Sequence, residues 1–277
     1  KDASRVADVA ASLTSATHSP AYLERLGKEQ EAARAAFAAR EDAPLVPYAE
    51  ALRRRPAISW DRAAIPEPSF LGTRVLDGVP LADLVPYVDW SPFFHAWELR
   101  GVYPRILDDP RVGPAARDLY AAGRKLLDEI VEGKLLRARG VWGFFPAASD
   151  GDDVVVYEDA PRSKERLRLH MLRQQHAVSG KPLVSLADFV APRDSGPPDH
   201  IGAFAVTAGV GVEALSARFE REHDDYRSIL AKALADRLVE AFAEWLHERA
   251  RREWGYGTDE RLAPHDLIKE RYRGIRP

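Results

Sequence analysis

A helical run over about residues 212–254 sets the strongest limit on how this chain folds. Leu230, Leu234, Leu238, Ala241, Phe242, Trp245 and Leu246 recur at three- and four-residue steps, which puts them on one face of a helix. A stripe that long needs apolar surface to cover it, and strands earlier in the chain supply it. Phe70–Leu76, Gly140–Phe145, Val154–Tyr157, Leu186–Val190 and Ile201–Val206 have strand-like patterns. Ser149-Asp150-Gly151-Asp152 joins the second and third of these with a hairpin signal. A short helix is expected over Pro80–Val88. An amphipathic helix is expected over Pro114–Lys134, with Ala116, Leu119, Leu126, Leu127 and Ile130 inward and Pro114 in the first turn. Strands gathered ahead of a long helical run, without regular strand–helix alternation, point to an α+β fold with an antiparallel sheet.

The N-terminal part is built differently. A first helix with Val6, Val9, Ala10 and Leu13 as its stripe has nothing nearby to pack against, so residues 1–20 read as the last helix of a preceding domain. A second helical stretch, roughly 21–40, is dense in Ala, Glu and Arg and sparse in apolar residues, so 21–42 reads as a partly solvated linker helix. Prolines at 44, 47, 56, 66 and 68 resist regular structure between Ala43 and Ser69, and the main domain is placed at 43–277.

Composition narrows the functional classes. With 45% hydrophobic and 30% charged residues the chain is an ordinary globular one, and a net charge of −3 offers no basic face for nucleic acid. No run is long enough for a membrane span and no signal-peptide pattern opens the chain. The absence of cysteine removes disulfides, thiolate catalysis and zinc–thiolate sites, and fits a cytoplasmic setting. Among histidines, Glu222-His223-Asp224-Asp225 read as consecutive helical residues pointing about 100° apart, which cannot converge on one metal. His247 with Glu244 and Glu248 lacks a third ligand. Nucleotide-loop and hydrolase motifs are absent. Ala208-Gly209-Val210-Gly211 is a weak phosphate-loop echo better read as a turn.

Two features invite a binding role. Val88-Asp89-Trp90-Ser91-Pro92-Phe93-Phe94-His95-Ala96-Trp97 is either an aromatic core segment capped by Asp89 or an acidic group beside an aromatic pocket suited to a cation. Asp236, Glu240, Glu244 and Glu248 fall four apart, along one helix face away from the leucine stripe. That face is solvated, or it borders a cleft that favours a positive ligand or partner.

Several ordered strings resemble the activation domain of vitamin B12-dependent methionine synthase. They are Val88 to Phe94, Tyr103-Pro104-Arg105-Ile106-Leu107, Leu172-Arg173-Gln174-Gln175, Leu186 to Pro192 and Ile201 to Thr207. To these are added His223 to Tyr226 running through Leu246 to Arg249, then Trp254-Gly255-Tyr256 and Gly274-Ile275-Arg276-Pro277. The resemblance spans about Phe70 to the end, and Asp2-Ala3-Ser4-Arg5 is similar to the end of the family's cobalamin-binding domain.

The resemblance implies a curved α+β domain with a twisted antiparallel sheet and long flanking helices. It implies S-adenosylmethionine as ligand, with Asp89 hydrogen-bonding it, Arg276 opening the binding loop, and Glu240 and Glu270 nearby. It further implies docking, through Asp236 and Glu240, on the cobalamin-binding domain of the same polypeptide for reductive methylation of cob(II)alamin. Flavodoxin or another one-electron reductant is the implied electron donor, cobalamin is held by the neighbouring domain, and zinc belongs to a different domain. The family continues beyond the position of Pro277 with a loop that contacts the ligand, so the isolated fragment is expected to be inactive. No catalytic acid or base and no metal site are expected. The competing expectation is an interaction module for cobalamin and flavodoxin domains that does not itself bind the methyl donor. A His/carboxylate metalloenzyme is a more distant one.

Overall fold

Asp224 splits the C-terminal helical run in two. Its carboxylate accepts the N–H of Arg227 at 2.9 Å, and His223 before it takes a left-handed backbone, φ +59°. The carboxylate thereby satisfies an orphan donor of a new helix. Glu222-His223-Asp224-Asp225 therefore form a corner, not a stretch of one helix as the periodicity suggested.

A computed structural model describes residues 6–38, 45–60, 65–176, 180–194, 196–256, 262–269 and 271–272. The chain divides into two compact units, Lys1–Arg54 with Gln174–Leu183 and Arg55–Arg173 with Val184–Pro277. The first holds α1 (Val6–Thr14), α2 (Ser19–Ala38) and α3 (Tyr48–Arg53). α2 buries no residue and leaves Phe37 74% exposed, as its sparse apolar content implies. Residues 174–183 join α3 at both ends, Val46 N–H donating to Gln175 O and Leu183 N–H to Arg54 O, each at 2.9 Å.

The second unit has α+β architecture. Its strands are β1 (Gly72–Val79), β2 (Arg137–Asp150), β3 (Asp153–Tyr157), β4 (Glu165–His170) and β5 (Asp199–Val210). Its helices are α4 (Leu81–Leu84), α5 (Ser91–Ala96), α6 (Gly113–Glu132), α7 (Val212–Arg221), α8 (Asp225–Trp254) and α9 (Pro264–Ile268), with 3-10 turns at Val85–Tyr87, Arg105–Asp108 and Leu186–Phe189. Every strand pair is antiparallel. β2 is the spine: β1 and β5 flank its first part, and its last residues, Ala147–Asp150, turn through Gly151 (φ +64°) into β3, which pairs β4.

Alternation along β2 sends Ala138, Gly140, Trp142 and Phe144 to one face, where the main core forms with α6 and α8. Leu230, Leu234, Leu238, Ala241, Phe242 and Leu246 of α8 are all buried there. At Gly140 a Cβ would stand 2.9 Å from Phe242 Cζ and 3.2 Å from Val206 Cγ1, so only glycine lets helix and sheet approach this closely. The α7–α8 corner is stitched by the buried Ser216 and Ser228 hydroxyls, 2.6 Å apart and both within hydrogen-bond reach of the Glu220 carboxylate.

One local expectation fails, and one strand carried no expectation at all. Leu186–Val190 is not a strand: Ser185 and Asp188 form a capping box that winds Leu186–Phe189 into a 3-10 turn. β4 gave no apolar pattern because its leucines, Leu167 and Leu169, alternate with charged residues and stay 43% and 36% exposed. The same Asp188 pairs with Arg173, whose guanidinium is fully buried and also binds Asp152, with N–O distances of 2.7 and 2.9 Å to Asp188. This clamp ties the β2–β3 turn to the segment after β4.

Gly140→Val is expected to cost about 1–3 kcal/mol through overpacking against Phe242, read as a lower denaturant midpoint; an unchanged midpoint would refute the close approach. Arg173→Met strands two carboxylates and is expected to cost about 3–5 kcal/mol, a larger fall in the same measurement.

Candidate functional site

The segment from Val85 to Trp97 is built on proline. Pro86 and Pro92 sit in the first turns of the 3-10 helix Val85–Tyr87 and of α5, where a missing N–H is harmless. Between them Asp89 Oδ1 accepts the N–H of Ser91 at 2.9 Å, and Ser91 Oγ accepts the N–H of Tyr103 at 3.1 Å. The carboxylate is half-buried, and its second oxygen has no hydrogen-bond partner among the described residues. A carboxylate held by one oxygen at a helix start presents the other as an oriented acceptor.

The aromatic residues around it do not form a ligand box. Trp90, Phe93 and Phe94 are 5%, 1% and 0% exposed and belong to the core. Trp90 meets Phe93 and Tyr120 edge-on at 5.2 and 4.9 Å, and a Cβ at Gly123 of α6 would touch Phe93 Cζ at 2.8 Å. Burial and the Tyr103 hydroxyl, 3.2 Å away, push the Tyr120 phenol up to about 12. Trp97 alone among these rings is turned outward enough to meet Tyr226, the two rings tilted at 58° with centroids 5.1 Å apart. The capped-core reading thus holds for the rings, and the carboxylate alone is left for binding.

On α8 the four-spaced carboxylates change environment along the helix. Asp236 and Glu240 are exposed, and Glu240 receives both Arg237 terminal nitrogens at 2.6 and 2.8 Å. Glu244 and Glu248 are half-buried. Glu248 accepts the Tyr87 hydroxyl and an N–H of Arg252. Burial and the Glu248 carboxylate raise the Tyr87 phenol well above its ordinary range. The 3-10 helix that carries Tyr87 packs on both α8 and α9. Near the same end of α8, the Tyr272 ring stands edge-on to His247 at 4.8 Å, with the Arg251 guanidinium 4.5 Å over it.

Asp89 and the acidic face of α8 are thus joined through Tyr87 and Glu248, while Asp236 and Glu240 share the open end of that face. Arg276 and Glu270 lie outside the described residues. Sequence reasoning missed Tyr87, because its partner Glu248 lies 161 positions away and no local pattern joins the two. Asp236 also helps line a surface groove of about 440 Å³ with Thr207, Gly209, Gly211, Glu213 and Val239. Two carboxylates on that wall disfavour phosphate, so the glycines serve the turn into α7, where Gly211 has φ +106°. Among the described residues no cluster of three metal-ligating side chains forms, and no helix is long and apolar enough to cross a membrane.

Comparison with known proteins agrees with this architecture. Among solved structures, the crystal structure of the MetH reactivation domain bound to AdoHcy is 46% identical, covers 84% of this chain and 72% of that chain, and superposes with a TM-score of 0.78. Residues 80–277 match the family model described as vitamin B12 dependent methionine synthase, activation domain. The chain belongs to the activation-domain family of vitamin B12-dependent methionine synthase, a methyltransferase.

Proposed function

We propose that this chain holds S-adenosylmethionine at the acidic face between Asp89 and α8, and docks on a cobalamin-binding domain of the same polypeptide during reductive methylation. The observation that carries the proposal is the Asp89 carboxylate, fixed by the Ser91 N–H with its other oxygen open, on a segment packed against the helix of Glu240. The AdoHcy bound to the similar reactivation domain supports the ligand class. The donor set suits it: S-adenosylmethionine carries a sulfonium and an amino group, both positive, and carboxylates attract them.

Cobalamin, held by the neighbouring domain, supplies the metal nucleophile. The residues of this chain have a narrower task. Asp89 and Glu240 orient a cation, with Glu270 and Arg276 as further proposed contacts. The departing thioether is neutral and needs no proton, so no acid or base is required. Placement at near-attack distance does the work, and placement alone can lower such a barrier by about 7–11 kcal/mol. Asp236, at the open end of α8, is the proposed docking contact, and a flavodoxin-like protein is the proposed electron donor. As a single region of that assembly, the chain is proposed to be inactive alone.

In the complete methionine synthase polypeptide, Asp89→Asn is expected to raise the S-adenosylmethionine concentration for half-maximal reactivation at least tenfold, from the roughly 1.5–3 kcal/mol typical of a hydrogen bond to a charged group. An unaltered concentration dependence would remove Asp89 from the site. Asp236→Lys is expected to slow reactivation several-fold more than primary turnover. Equal effects on the two rates would count against docking through this residue.

A further inference from the structure

The hydrogen bond between Asp89 and Ser91 is local: it orients the carboxylate relative to α5 and says nothing of its distance from α8. The long-range polar tie is made two residues earlier. Tyr87 donates its hydroxyl to Glu248, 161 positions away in sequence, and Arg252 holds the same carboxylate from one turn further along α8. Only Val88 separates Tyr87 from Asp89, so a shift of the ring is passed almost directly to the carboxylate. The 3-10 helix bearing Tyr87 also touches α9, whose Leu267 is 1% exposed, so the same bond lies where the C-terminal segment meets the helix. The raised phenol keeps its proton at neutral pH, so it remains the donor in this bond.

We infer that Tyr87 and Glu248 are a positioning pair that sets Asp89 in register with the acidic face of α8. The inference rests on the S-adenosylmethionine-binding reading given above. Neither residue is assigned a ligand contact; both act through Asp89.

The test is reactivation of the complete methionine synthase polypeptide over a range of S-adenosylmethionine concentrations, with Asp89→Asn run alongside. Tyr87→Phe and Glu248→Leu are each expected to raise the half-saturating concentration about fivefold, the loss of one net hydrogen bond. The maximal rate at saturation should be kept, and the double variant should be no worse than either single one. Glu248→Gln, whose carbonyl still accepts the tyrosine hydroxyl, should stay close to wild type. A merely structural role would lower the maximal rate instead, and that result overturns the inference. So does a shift in Tyr87→Phe without one in Glu248→Leu, which would make Tyr87 a ligand contact, or a Gln variant as weak as the Leu variant. If Asp89→Asn shifts and Tyr87→Phe does not, the positioning pair falls and the binding reading stands. If Asp89→Asn does not shift either, the binding reading fails and the inference goes with it.

Discussion

Phe242 rests on the bare backbone of Gly140, and the placement of the acidic face follows from that contact. Because α8 approaches β2 without an intervening side chain, its leucine stripe is pressed wholly into the core between sheet and α6. The helix cannot then rotate, and residues on its other side are committed to the outside. Trp142 of β2 fixes the far end, its indole N–H donating to Glu253 at 3.0 Å. The carboxylates at 236, 240, 244 and 248 thus keep their direction because hydrophobic packing on the opposite side allows no other. They differ from one another only in what covers them. Solvent reaches the first two, and the 3-10 helix Val85–Tyr87 closes over the last.

Packing of this kind is what a sequence reveals best. The stripes of α6 and α8 were legible because burial recurs with the helical period, and the β2–β3 turn because a glycine sits where φ is positive. What escaped was decided by polar side chains competing with the backbone. Ser185 and Asp188 convert an apolar string into a 3-10 turn, and Asp224 breaks a helix whose apolar period continues past it. β4 was invisible for a different reason: it pairs only with β3, and its alternation is two leucines long, both of them left exposed. In the site, local pattern offered two readings for Asp89 and could not choose between them. The residue's importance came from resemblance, and its geometry, one oxygen bound and one open, from the structure. Tyr87 and Glu248 lie 161 positions apart, and no periodicity in a single sequence links them.

The two carboxylates named for ligand contact are prepared in opposite ways. Asp89 is held by a backbone N–H that stays with it whatever binds, so its open oxygen is oriented in advance and little entropy remains to be lost. Glu240 is already engaged by Arg237 in a two-pronged pair, with the glutamate 61% exposed and the arginine 13%. In the proposed function a cationic ligand shares Glu240 with Arg237 and does not displace it, since the mostly covered guanidinium would otherwise lose its counter-charge. Arg237, mostly covered, keeps its place while Glu240 is free to swing. In the proposed function this makes Asp89 the fixed post and Glu240 the adjustable one. Such a division suits the proposed methyl-donor site, since the fixed post preserves the geometry while the exposed one lets the affinity stay modest.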